Sequence, residues 1–312
     1  MFVTNLIDFG TILTGILFVA GPFLIVGILI SNIIQQFVSQ ERMLALYGRG
    51  FWRNYLVSIV AGFLFPVCEC GIVPIARSLV KKGVSTSGVV MFLLSAPVFN
   101  PITLGATIAA FPAHPSVWIG RILVAQILTI TIGWIFVMYK DVQGSELTIL
   151  GPQSDSVDQC DTCNVHAQSS KEGNKAWAIL DATYHEFQHV FMYVVIGASL
   201  TSFLQLVLSK QYFLTIGDFP ILGIASFMLL ALVLSVCSSV DAFVILPFAS
   251  HMPLSALLAF LNFGPLIDIK NILLFRAYFT KRFQYWYFGL VTVILFLVVF
   301  LSGYILSNLF MP

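Results

Sequence analysis

The sequence predicts an all-α polytopic membrane protein. It is built from two inverted repeats, each with three spans and a broken re-entrant hairpin. Three observations carry this. The chain is 59% hydrophobic and only 9% charged, against about 25% charged residues in a soluble domain. Runs such as 11–38, 88–111 and 285–308 reach the roughly 20 apolar residues that one bilayer crossing needs. They are too long for barrel strands, and lipid leaves a backbone no partners outside a helix, so the runs are read as helices.

The apolar blocks fall at 11–38, 54–76, 88–111 and 116–139, then at 190–209, 221–250, 254–275 and 285–308. Between the two sets, residues 140–175 are rich in Gln, Ser, Asp, Gly and Asn and carry six acidic against three basic residues. This reads as a flexible cytoplasmic linker. The domains are therefore a membrane repeat over 1–139, the linker over 140–175, and an interfacial helix plus second repeat over 176–312. The interfacial helix is "AWAILDATYHEFQH", 176–189. The N-terminus has no basic region and no small-residue cleavage site, so no removable signal peptide is expected.

A shift of 168 places Ala96-Pro97-Val98-Phe99-Asn100 on Gly264-Pro265-Leu266-Ile267-Asp268, and Cys68-Glu69-Cys70 on Val236-Cys237-Ser238. Identity is thin, but the order of features repeats, as is common among transporters. Lys and Arg decide the relative orientation of the halves. Basic residues sit in 39–53 (Arg42, Arg49, Arg53), 77–87 (Arg77, Lys81, Lys82), 275–284 (Arg276, Lys281, Arg282) and the linker (Lys140, Lys171, Lys175). If every block spans, as eight full spans in two parallel repeats, these charges divide evenly between the two sides. If 54–76 and 221–250 are re-entrant hairpins, all twelve face one side against Lys210 alone. The second arrangement obeys the positive-inside rule, gives an odd number of spans per half, and puts both termini outside. The hairpin tips, near 68–71 and 237–241, then meet in mid-membrane, where non-helical backbone is tolerated only around a cavity or within protein.

"FPVCECGIVP", 65–74, is the first tip: two thiols and a carboxylate among Pro66, Gly71 and Pro74. Thiolates favour soft metals and metalloids. Cys68 and Cys70 supply two sulfurs, and Cys237 a third from the matching break. Glu69, Asn100, Asp241, Asn262, Asp268, Lys270 and Asn271 are polar groups at membrane depth, where a charge costs at least about 2.5 kcal/mol and so marks a functional hypothesis. Asp268 and Asn271 are read as sharing a helix face, with Lys270 pointing elsewhere. Glu69 or Asp268 is a candidate to carry a coupling proton. The expected solute-binding set is Cys68, Glu69, Cys70, Cys237, Asp241, Asn100, Asp268, Lys270 and Asn271.

Two further motifs stand apart. "CDTCNVH" offers Cys160, Cys163 and His166 as a soft-metal or redox site in the linker. "HEFQH", 185–189, matches H-E-x-x-H formally. No third-ligand motif follows it, so it is read as the face of the interfacial helix and no enzyme is expected. Five cysteines, an odd number, argue against a fully paired disulfide framework. The net charge of +1 leaves no nucleic-acid footprint. No cofactor is expected, and no ATP-binding P-loop is present.

The stretches "FPVCECGIVPIARSLVKKGVSTSGVVMFLLSAPVFNPIT" and "SVCSSVDAFVILPF…FLNFGPLIDIKN" resemble the predicted permease family that includes YraQ and the organoarsenical efflux permease ArsP. The resemblance covers nearly the whole chain. It implies a multi-pass permease of the plasma (inner) membrane. Its ArsP branch implies efflux of trivalent organoarsenicals, with Cys68, Cys70 and Cys237 in binding. The function expected is movement of a small thiol-reactive or soft-metal(loid) solute. Two alternatives are a transmembrane thiol–disulfide electron relay and a scaffold subunit with an envelope protein partner.

Overall fold

A computed structural model describes residues 2–37, 39–48, 50–64, 69–143, 175–207, 220–246, 249 and 252–310. Every regular element among them is a helix. The first half holds α1 (Phe2–Phe37), α2 (Gln40–Tyr47), α3 (Phe51–Leu64), α4 (Glu69–Lys81), α5 (Thr86–Phe99), α6 (Pro101–Ala110) and α7 (Pro115–Gln143). The second holds α8 (Lys175–Val207), α9 (Pro220–Leu234), α10 (Asp241–Ile245), α11 (Leu254–Phe263), α12 (Ile269–Tyr278) and α13 (Lys281–Phe310). Among the described residues five helical stretches are long and apolar enough to cross a membrane: Phe9–Ile34, Thr86–Ala110, Pro115–Met138, Thr183–Leu204 and Lys281–Ser302. The chain is a multi-pass membrane protein.

The outer surface agrees. Phe18 is 81% exposed, and Trp52, Leu64 and Phe203 also point outward, which suits a lipid solvent. Lipid gives apolar faces no drive to associate, so such helices pack through small residues that let backbones approach. Gly27 of α1 sits directly on Gly71 of α4, Gly62 of α3 on Ala96 of α5, and Gly197 of α8 on Lys270 of α12.

Pairwise contacts fix the directions of the helices. Along α3 and α5, Asn54 bonds Ser85, Ser58 bonds the Gly88 carbonyl, and Gly62 meets Ala96. The two therefore run parallel. Ser85 follows directly on α4, so the chain that leaves along α3 returns along α4 to its starting level. Gly83, at φ +80°, makes the turn into α5; a side chain there would be strained. α1 runs parallel to α4, with Ser31 bonded to the Pro74 carbonyl and to Ser78. One end of the bundle thus collects the C-terminal ends of α1 and α4 and the N-terminal ends of α3 and α5. Thr183 of α8 meets Asn32, and Phe136 of α7 meets Phe283 of α13 at this end.

The block 54–76 is divided into two helices, α3 and α4, as a broken block requires, with 65–68 outside the described residues. Three departures from the sequence reading have physical causes. The block 254–275 is not one helix but α11 and α12, divided at Gly264–Asp268 where Pro265 lacks an N–H. Residues 176–189 are not a separate interfacial helix. They are the first turns of the continuous 33-residue α8, and Thr183 and Glu186 on them are buried. Arg77 is not a loop residue: it lies on α4, 2% exposed, so it leaves the count of loop charges.

Candidate functional site

The breaks on α3–α4 and α9–α10 bring distant residues together. Leu234 ends α9, and Ser235 takes φ +48°, a left-handed conformation that non-glycine residues seldom hold and that clusters at functional sites. Its N–H still reaches the Ala231 carbonyl. The segment 236–240 then crosses the start of α4. Glu69, the first residue of α4, is 2% exposed and directs Oε2 at this segment. That oxygen accepts from the Cys237 Sγ at 3.6 Å, the Ser238 hydroxyl at 3.4 Å and the Ser238 N–H at 3.5 Å. The two Ser238 contacts are long for hydrogen bonds. Ser239 donates to the Cys237 sulfur at 3.6 Å. Cys70 and Cys237 are both thiols rather than halves of a disulfide.

Lys270 closes the cluster from α12. Its Nζ lies 4.0 Å from Glu69 Oε1 and 3.4 Å from Asp268 Oδ2. The sequence reading separated Lys270 from Asp268 as two positions on one helix. The structure corrects this: Asp268 is the N-cap, with extended φ −137° and ψ 168°. Its Oδ1 accepts from the Asn271 N–H, satisfying an orphan donor of the first turn. Off the helix, its second oxygen reaches Lys270. Gly197 makes room for Lys270 on α8.

A cavity of about 210 Å³ opens on this cluster. Glu69, Cys70, Cys237 and Lys270 form its polar wall, and Ile12, Ile16 and Ala20 of α1 face them. The volume is below the roughly 300–1,000 Å³ of drug-sized pockets and suits a solute of a few heavy atoms. Among the described residues no group of three or more His, Cys, Asp or Glu is placed to share a metal ion.

Five of the expected residues are thus brought together: Glu69, Cys70, Cys237, Asp268 and Lys270. Asn271 adjoins them through the cap. Two stand elsewhere. Asn100 caps α6, accepting from the Ile102 N–H at 2.9 Å. Asp241 forms a two-point ion pair with Arg121 of α7, at 2.6 and 3.1 Å. Neither borders the cavity. Cys68, and Cys160, Cys163 and His166 of the linker, lie outside the described residues.

The sequence reading missed Arg121, which is fully buried and also bonds Thr107 at 2.8 Å. The signal was available: a lone Arg within an apolar run needs an acidic partner. It also missed the Arg77–Glu186 pair at 2.9 Å. Tyr278 bonds the same Glu186 oxygen and lies under the Arg77 guanidinium. The glutamate of "HEFQH" therefore ties α4, α8 and α12 together. His185 instead lies 3.7 Å from Asp181 on the outer face.

Comparison with known proteins follows the same lines. A family model described as "Predicted permease" matches residues 5–305. The chain is 36% identical over 304 residues to the UPF0718 protein YcgR of Bacillus subtilis, covering 97% of this chain and 98% of that one. It is 28% identical over 295 residues to a putative two-component membrane permease complex subunit of Streptococcus mutans, covering 94% of each. To the UPF0718 protein YraQ of Escherichia coli it is 26% identical over 80 residues, 26% of this chain and 23% of that one. No solved structure matches.

Proposed function

The chain belongs to the family of predicted permeases whose model spans residues 5–305, and on that premise we propose that it is an inner-membrane permease for a small, thiol-reactive solute. The solute class is soft metals and metalloids, trivalent organoarsenicals among them. The observation that carries this is the convergence of Cys70 and Cys237, with Glu69 and Lys270, on one small cavity. Soft sulfur ligands select soft acceptors. Cys68, beside Cys70 in sequence, is the third sulfur of the proposal.

The proposed architecture is two inverted repeats, 1–139 and 176–312, joined by a cytoplasmic linker, with the breaks at α3–α4 and α9–α10 as re-entrant hairpins. The return of α4 to the level of α3, and the matching caps of Asn100 on α6 and Asp268 on α12, support it. Arg42, Arg53, Lys81, Lys82, Lys281 and Arg282 fall at the bundle end where α4 and α13 meet their loops, which is the cytoplasmic end by the positive-inside rule. Access would alternate about the tips. With no P-loop in the sequence, an ion gradient or the solute's own gradient supplies the energy.

One test is flux into proteoliposomes of trivalent methylarsenic, soft metal ions and small sulfur compounds. Uptake of at least one, lost in Cys70→Ser and Cys237→Ser, is expected. Flux unchanged in both variants would remove the sulfurs from binding.

A second reading concerns assembly. The Streptococcus relative is described as a subunit of a two-component permease complex, and we infer that this chain also works beside a second membrane protein. Affinity purification from its native membrane should then carry a stoichiometric partner. Full flux by the pure chain, with none retained, would rule this out.

A further inference from the structure

We infer that Glu69 and Asn271 form a site for one monovalent metal cation of sodium size, next to the solute cavity. This deepens the permease reading by naming a coupling ion, and rests on that reading only for the word coupling. Glu69 also lines a second, smaller void of about 10 Å³, room for a single water-sized species. Glu69, Leu93, Pro97, Pro265, Asn271 and Phe275 are among its walls.

Its polar wall is made of acceptors. Glu69 Oε1 and Asn271 Oδ1 have no hydrogen-bond partner, and the two residues are only 2% and 3% exposed. Pro97, inside α5, has no N–H to give the Leu93 carbonyl, and both residues line the void. Carboxylate, amide and carbonyl oxygens are the ligands hard cations take, and broken helices at mid-membrane supply them in transporters.

Charge decides the valence. Glu69 and Asp268 in ionised form share one ammonium, Lys270, while Arg121–Asp241 and Arg77–Glu186 are paired off. With both carboxylates ionised around a bound ion, one negative charge is left over. A single monovalent cation neutralises it, whereas a divalent ion would leave an uncompensated positive charge, which is costly at this depth. Glu69 borders both spaces. An ion held on Oε1 therefore fixes the carboxylate whose Oε2 holds the Cys237 segment.

The test is binding of radioactive Na⁺ to the purified full chain in detergent, with melting temperature followed in Na⁺, K⁺ and N-methyl-D-glucamine at constant ionic strength. Saturable Na⁺ binding and a Na⁺-selective rise in Tm are expected. Both should be lost in Asn271→Ala and Glu69→Gln and retained in Asn271→Asp, which keeps an oxygen ligand. An equal Tm in all three salts, or no saturable binding by the native chain, overturns the site whether or not the variants fold. Because no solute is present, Na⁺ binding without flux of any soft solute would refute the cargo proposal and leave the ion site standing.

Discussion

The Cys237 thiol donates to Glu69 Oε2 at 3.6 Å across 168 residues of sequence. Glu69 begins α4 and Cys237 lies in the segment between α9 and α10, and the contact places sulfur beside carboxylate on the wall of one cavity. Replacing Cys237 or Cys70 with Ser should lower flux of a thiol-reactive solute at least about tenfold, the effect of losing about 1.4 kcal/mol of solute affinity. Melting temperature should barely move, since the hydroxyl keeps the size and the donor. An equal loss of stability in Cys237→Ser would make the residue structural.

The Arg121–Asp241 pair is buried on both sides, at 0% and 2% side-chain exposure. Removing one partner strands the other, at about 3–5 kcal/mol. Arg121→Met and Asp241→Leu should each lower the melting temperature sharply, and the double variant should recover much of the loss. Independent, additive losses would show that the two do not depend on each other.

Glu186 holds Arg77 and Tyr278 rather than serving beside zinc. Glu186→Gln should destabilise the chain, while zinc and chelators should leave its stability unchanged. Tyr278→Phe should cost only about 1 kcal/mol, one neutral hydrogen bond. A chelator effect on Tm would restore a metal role to "HEFQH".

A methyl group at Gly27 would fall 2.4 Å from the Gly71 Cα. Backbone cannot move aside as a side chain can, so Gly27→Ala should destabilise by about 1–3 kcal/mol, as overpacking does. Gly289→Ala has nothing within 4 Å and should be neutral or slightly stabilising by helix propensity. Measured melting shifts in the reverse order would contradict the α1–α4 packing.

The helices are legible in the sequence because apolar length is a local signal, and the division of 54–76 because Pro66, Gly71 and Pro74 interrupt an apolar run. Pro265 shows the limit. "FGPLIDIKN" stood out as polar, yet the run was long enough to be read as one crossing, and the division at Gly264–Asp268 needed the cap geometry of Asp268. Spacing rules placed Lys270 and Asp268 on different helix faces, a reasoning that fails once one of them is outside the helix. Arg121 is absent from the sequence reading's set of membrane-depth charges, although it lies within the apolar run 116–139. Arg77 was put in a loop because α4 runs four residues beyond it, to Lys81. Pairs such as Arg77–Glu186, 109 residues apart, leave no local trace at all.

The meeting of the two broken helices is tested most directly by a disulfide. In a chain carrying Glu69→Cys and Cys237, with Cys68, Cys70, Cys160 and Cys163 replaced by Ala, a protease site is inserted in the 144–174 segment. Mild oxidation, or a short bis-methanethiosulfonate reagent that makes up the length lost from the glutamate, should join the halves, so that cleavage leaves them together on a non-reducing gel and separates them under reduction. Halves that part under oxidising conditions, in a chain that still folds, would mean that Glu69 and Cys237 are not neighbours and that the cavity is not shared.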